Sequence, residues 1–167
     1  MQTEQTKSPK KLIVGWFSFT CCEDSTILFT ELLNKNFDDW NKLMEFRYLK
    51  ALKTKNDYHG LDVAFIEGAI SSDTQAEEVK KIRENAKFVV AIGSCACTGK
   101  PSATRNEFTP EDITEKIKWY MDHFDYSDKV RKLDEVIKVD DYANGCPMNV
   151  KSFIAVVKKY LLLFGTQ

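Results

Sequence analysis

Apolar positions along the chain fall into two alternating kinds of pattern. Leu12-Ile-Val-Gly-Trp-Phe-Ser-Phe19 is an apolar run interrupted only by Gly15, as expected of a strand buried on both faces. Phe46-Arg-Tyr-Leu49 predicts a short second strand, Asp62 to Gly68 a third, Lys87 to Gly93 a fourth and Glu135 to Asp140 a last one. Between them the spacing becomes helical. Ile27, Leu28, Leu32 and Leu33 predict a helix running from the Glu23-Asp24-Ser25-Thr26 start toward Trp40. Ala76, Val79 and Ile82 predict a helix over about 74–85, capped by Ser72 or Asp73. Thr109-Pro-Glu-Asp112 reads as a helix start whose apolar stripe is Ile113, Ile117, Tyr120, Met121 and Phe124. Val150, Phe153, Ile154, Val157 and Leu161 give the closing helix a wide apolar face.

Strands alternating with helices predict an α/β fold, an open parallel sheet with helices on both faces and a flavodoxin-like order. At 167 residues the chain is read as a polar tail over 1–10 followed by one domain over 11–167. A formal charge of −1 offers no basic field for nucleic acid or an acidic membrane. No apolar run approaches the ~20 residues of a membrane-spanning helix. The polar stretch Met1–Lys11 lacks the core of a secretory signal, which predicts a cytoplasmic protein.

The chemistry lies in the cysteines. Three apolar runs each deliver thiols just past their carboxyl ends: Cys21-Cys22, Cys95 within Gly93-Ser-Cys-Ala-Cys-Thr-Gly99, and Gly145-Cys146-Pro147. In open α/β sheets, ligands bind outside the carboxyl ends of the strands. Soft sulfur donors select iron–sulfur clusters, zinc or copper(I), and four thiolates are the common complement of a [4Fe–4S] cluster. Cys21, Cys22, Cys95 and Cys146 supply four. Helix starts beside Cys21-Cys22 and after Cys146 would add partial positive charge, and Gly93, Gly99 and Gly145 permit close backbone approach.

Other readings are weaker. Isolated cysteines are often small buried apolar side chains, but four at three strand ends are hard to explain that way. Zinc modules use local C-x₂₋₄-C pairs, whereas Cys95-x-Cys97 is too tight and Cys21-Cys22 tighter still. Adjacent cysteines reach two irons of one cube more easily than one tetrahedral ion. Cys97 could replace Cys21 as fourth ligand, though its one-residue offset from Cys95 favours a structural thiol. His59 and His123 lie away from the cysteine loops, which argues against a thiol nucleophile with a histidine base. No glycine-rich phosphate loop follows any strand. Trp16, Phe17 and Phe19 suit a core or a buried subunit interface, with the core as the default.

Thr20-Cys-Cys-Glu23, Phe65-Ile-Glu-Gly-Ala-Ile-Ser71, Gly93-Ser-Cys-Ala96 with Gly99, and Gly145-Cys-Pro147 together resemble the small, electron-transferring subunit of [NiFe] hydrogenases. They also resemble its relative, the 20 kDa-type cluster subunit of respiratory complex I. Asp62 to Ala96 is most similar to the delta subunit of cytoplasmic archaeal hydrogenases. The resemblance implies one proximal [4Fe–4S] cluster facing a large subunit that carries the nickel–iron centre. Cys95 and Cys146 match family ligands by position, Cys21 and Cys22 cover the first pair, and Glu67-Gly68 matches the turn beside the cluster. Hydrogenase small subunits present that first pair as C-x-x-C; here the cysteines are adjacent, as in the complex I relative. With no cysteine-rich region before Gln167, electrons are expected to leave through a cluster or flavin in another subunit.

Overall fold

The computed structural model describes residues 10–166. Five parallel strands form one sheet in the order β2-β1-β3-β4-β5. They are β1 (Leu12–Ser18), β2 (Met44–Leu49), β3 (Leu61–Glu67), β4 (Ala86–Ile92) and β5 (Asp141–Ala143). This is the flavodoxin-like order, whose crossover direction reverses between β1 and β3. β3, at the centre, is buried over its whole length.

Alternation along the strands sends side chains into two cores. Val14, Trp16, Val63, Phe65, Val90 and Ile92 face one side. There they meet α1 (Asp24–Lys35), α2 (Phe37–Leu43) and the closing helix, which packs through Phe153, Val157 and Tyr160. Phe17, Ala64, Ile66, Val89 and Ala91 face the other side, against Ala76, Val79 and Ile82 of α3 (Asp73–Asn85). Trp16 stacks on Phe29 at 4.2 Å and Phe17 on Tyr48 at 4.2 Å, so both aromatics after Gly15 belong to the cores.

Several elements differ from the pattern-based reading. The first helix does not run unbroken to Trp40. Asn36 turns its side chain back to the Leu32 carbonyl, and α2 starts afresh at Phe37. The Thr109–Asp112 start forms only a turn, closed by Asp112 N–H on the Thr109 carbonyl at 3.0 Å, with the Asp112 carboxylate accepting from the backbone and the hydroxyl of Thr109. α4 (Gly93–Thr98) precedes it as a short helix in what reads as loop, and α5 (Glu115–His123) begins later, with the Thr114 hydroxyl accepting from Ile117 N–H. None of its residues is buried.

The last strand is also displaced. Leu133–Glu135 is a 3₁₀ turn, and pairing with β4 begins only at Asp141. The Asp140 carboxylate, held by Arg83 at 2.7 Å, accepts the Val89 N–H at 2.8 Å. That N–H would otherwise bond a longer strand, and Ile137 instead drops into the α3-side core. α6 (Val150–Leu163) closes the chain as expected. No helix among the described residues is long and apolar enough to cross a membrane. Of the polar tail read over 1–10, residues 1–9 lie outside the described residues.

Candidate metal centre

Cys21 and Cys22 follow β1, Glu67 ends β3, Gly93 and Cys95 follow β4, and Gly145 and Cys146 follow β5. All seven line one cleft at the carboxyl ends of the strands, with about 230 Å³ of empty space including its open mouth. The set of residues singled out from the sequence therefore converges. Cys95 is buried at the floor, Cys21 is half-buried, and Cys22 and Cys146 are exposed at the mouth.

Glu67 is the buried post on which the first loop hangs. Its carboxylate accepts from Ser25 N and Thr26 N, each at 3.0 Å, and from the Thr26 hydroxyl at 2.6 Å. Thr26 in turn accepts from the Trp16 indole N–H at 2.8 Å. Those two backbone N–H groups are the free donors of the α1 start. A carboxylate there is favoured by the helix dipole as well, and it takes the place the sequence reading gave to a bound cluster. Asn149 does the same for α6, accepting from Ser152 N–H. These acceptors take up two of the free N–H groups at the α1 start and one at the α6 start.

The loops are tied to one another across the cleft. Ser25 Oγ accepts from Met148 N–H at 3.2 Å, joining the first loop to the third. Gly145 O accepts from Ser94 N–H at 2.7 Å, joining the third to the second. Two glycines make these approaches possible. Gly93 has φ 77°, and a β-carbon there would stand 2.9 Å from Ser25 Oγ. Gly145 has φ 128°, and its β-carbon would meet the Pro147 carbonyl oxygen at 2.7 Å. Their task is loop-to-loop contact and a left-handed backbone that a side chain would strain. Ser102, which no sequence pattern singles out, places its hydroxyl 3.2 Å from Cys95 Sγ and 3.1 Å from the Thr20 carbonyl oxygen.

Burial pushes the Cys21 thiol up to about 12, and the Glu67 charge adds to it. Cys146 is raised as well, first by loss of hydration and then by the Cys22 and Cys95 sulfurs. A metal taken up at these sulfurs would have to displace their protons, and its uptake would grow easier as pH rises. Among the described residues, no three cysteine, histidine, aspartate or glutamate side chains gather closely enough for a single metal ion. Four thiols spread around a cleft suit a multi-iron group better than one tetrahedral ion. Cys97 does not line the cleft: its thiol turns to the Ala91 carbonyl at 3.5 Å and packs on the α3-side core. Burial raises it too, to about 12.

Comparison with known proteins gives the family and the fold. The family model described as NADH ubiquinone oxidoreductase, 20 Kd subunit, matches residues 21–160. The gamma subunit of the coenzyme F420 hydrogenase of Methanosarcina barkeri is 30% identical over 138 residues, 81% of this chain and 48% of that protein. A subunit of the F420-non-reducing hydrogenase of Methanothermobacter thermautotrophicus is 31% identical over 122 residues, 64% of this chain and 38% of that one. The delta subunit of the NAD-reducing hydrogenase HoxS of Cupriavidus necator is 28% identical over 100 residues, 51% of this chain and 48% of that one. The chain spans less than half the length of these three relatives. Among solved structures, a chain of an NAD+-reducing [NiFe]-hydrogenase superposes with a TM-score of 0.77 at 20% identity, covering 92% of each chain. At that identity the likeness is one of fold.

Proposed function

The chain belongs to the family of the NADH ubiquinone oxidoreductase 20 Kd subunit, and we propose that it is the electron-transfer subunit of a [NiFe] hydrogenase complex. In this reading the chain, as one domain from residue 11 on, holds one proximal [4Fe–4S] cluster through Cys21, Cys22, Cys95 and Cys146. Such a cluster, when bound, supplies a one-electron step between a nickel–iron large subunit and a downstream iron–sulfur or flavin subunit. The residues described above do the rest. Glu67 fixes the first loop, Gly93 and Gly145 let the other loops close on it, and burial of Cys95 keeps water from the floor. Hydrogen chemistry belongs to the partner, and the chain itself is non-catalytic and cytoplasmic.

The observation that carries the proposal is the convergence of four thiols from three strand ends on one cleft around a buried glutamate. The names of the hydrogenase relatives support the choice of complex. Anaerobic purification of the native assembly tests it. We expect roughly four iron and four sulfide per copy of this chain, with nickel in a larger co-purifying subunit. Iron without nickel would remove the hydrogenase reading, and neither iron nor sulfide would remove the cluster.

A second reading, a quinone-reducing module of the complex I kind, is favoured by the adjacent pair Cys21-Cys22. An open cavity of about 950 Å³ at the ends of β1 and β2, lined by Trp16, Phe17, Phe19 and Tyr48 with Lys50 and Glu23, offers room for an apolar ring. Co-purification with membrane subunits instead of a nickel protein would favour it.

A further inference from the structure

We infer that Ser102 is a positioning residue for the cluster, its hydroxyl donating to the Cys95 sulfur and holding the reduction potential up. The inference rests on the cluster reading above and adds a residue that the cysteine pattern does not contain.

A serine hydroxyl has one hydrogen to give. Two acceptors lie within its reach, Cys95 Sγ at 3.2 Å and the Thr20 carbonyl oxygen at 3.1 Å. These belong to two different ligand-bearing loops, since Thr20 immediately precedes Cys21. The backbone fixes where the hydroxyl stands. Gly99 N–H bonds the Cys95 carbonyl at 3.0 Å, and Ala103 N–H bonds the Gly99 carbonyl at 2.7 Å, so Ser102 is carried on the same turn as Cys95. Cys95 itself is buried, with 7% of its surface exposed, so water has little access to compete for its sulfur.

Which acceptor wins depends on the state of Cys95. As a protonated thiol, its sulfur is a weak acceptor and the Thr20 carbonyl holds the hydrogen. As a thiolate on iron, the sulfur is charged, and a charge-assisted bond is about twice as strong as a neutral one. Loading the site therefore turns the hydroxyl from the first loop to the second. Reducing the cluster adds one electron and one negative charge, part of it on the sulfurs, so the same bond strengthens on reduction. Hydrogen bonds to ligand sulfurs set the potential of such clusters in this way. No proton moves: the hydroxyl keeps its hydrogen in both redox states, and the electron comes from the dithionite of the titration or from the partner.

The test is a potentiometric titration of the anaerobically reconstituted full chain, followed by electron paramagnetic resonance. Ser102→Ala should keep iron and sulfide content while its reduced-to-oxidised ratio at fixed potential falls several-fold to tenfold, tenfold being about 59 mV for one electron. Ser102→Thr, which restores the hydroxyl, should titrate with the native protein. A loaded S102A with an unmoved midpoint overturns the inference, as does an S102T displaced as far as S102A. A purely structural tie to Thr20 would change stability or loading and leave the midpoint alone. Should S102A not hold a cluster, Ser102→Cys, nearly the same size with a weaker donor, takes its place: a lowered midpoint supports the inference and an unchanged one overturns it. A native chain that takes up no iron and sulfide removes the cluster reading and this inference together; a loaded cluster indifferent to Ser102 removes only the latter.

Discussion

The cysteine cleft and the arm that carries α5 are held in place by opposite means. In the cleft, three loops are locked by buried groups. Glu67 is 3% exposed and takes two backbone N–H groups and a hydroxyl, Ser25 reaches the third loop, and two glycines remove the atoms that would keep the loops apart. The arm has an aromatic face of Trp119, Tyr120, Phe124 and Tyr126, every one at least 42% exposed. Its ties to the body include polar bonds such as Ser127 N–H to the Ser71 carbonyl, Thr74 to Asp125, the Ser127 hydroxyl to Asp73, and Arg105 to the Ser127 carbonyl. Burial makes each polar bond in the cleft costly to lose, whereas water can replace most of those in the arm. Substitutions in the two regions should therefore differ in size by far more than their chemistry suggests.

The largest effects belong to the sulfurs. Cys95→Ser should lose most of the bound iron after anaerobic reconstitution, measured by iron and sulfide assay. Cys97→Ser, two residues along the same short helix, should keep it, because that thiol faces the core instead of the cleft. If C97S lost the cluster and C95S kept it, the ligand assignment would be reversed. Next comes the post beneath them. Glu67→Gln replaces one acceptor oxygen by a donor facing the α1 backbone. At about 1–3 kcal/mol for each buried donor left unpaired, we expect a loss of roughly 2–4 kcal/mol, read by urea unfolding of the metal-free chain. A change under about 0.5 kcal/mol would mean that the α1 start is held by something other than this carboxylate.

The same contrast separates what could be read from the sequence. Apolar runs ending in Cys21, Cys95 and Cys146 revealed the cleft, because a parallel sheet brings all its strand ends to one rim whatever the loops between them. Four of the five strands lie within a few residues of their predicted places for a related reason: a strand buried on both faces must be apolar along its length. The last strand slipped because Val136, Ile137 and Val139 are as apolar as a strand, and only the Asp140–Val89 bond shows where pairing is capped. The apolar stripe predicted a helix, which forms over Glu115–His123, and none of that helix's residues is buried. Periodicity shows which face is apolar and not what stands opposite it. Ser102 left no trace in the pattern, since one serine in a loop looks like any other until the fold places Cys95 beside it.

A smaller effect follows from protonation. Cys21 and Cys97 are both raised from the ordinary thiol value of 9.0 to about 12, chiefly by burial. Below pH 9 the folded and unfolded chains hold these protons alike, and the full stability is present. Between pH 9 and 12 the unfolded chain gives its protons up while the folded one keeps them, so stability falls as pH rises. The metal-free chain should show this decline in its urea midpoint across that window, and Cys97→Ser should make it shallower. A midpoint flat from pH 8 to 11 would contradict it.

The smallest expected effect is the sharpest check on the comparison. Trp119 is 56% exposed and Phe124 54%, and their aromatic partners lie within the arm. Trp119 stacks on His123 with ring centres 4.7 Å apart, and Tyr120 lies parallel to Phe124 at 6.4 Å. Both are four-residue helical spacings, and such pairs stabilise a helix by about 0.2–0.5 kcal/mol. Replacing either aromatic by glutamine keeps a good helix former and exposes no new cavity. Trp119→Gln and Phe124→Gln should therefore move the unfolding free energy by about 0.5 kcal/mol or less. Phe153, 1% exposed in the core beneath the cleft, should by contrast cost about 3–5 kcal/mol when cut to alanine. A loss above about 2 kcal/mol for W119Q in the isolated chain would mean that α5 is packed by the chain itself, and the contrast between the two regions would have to be given up.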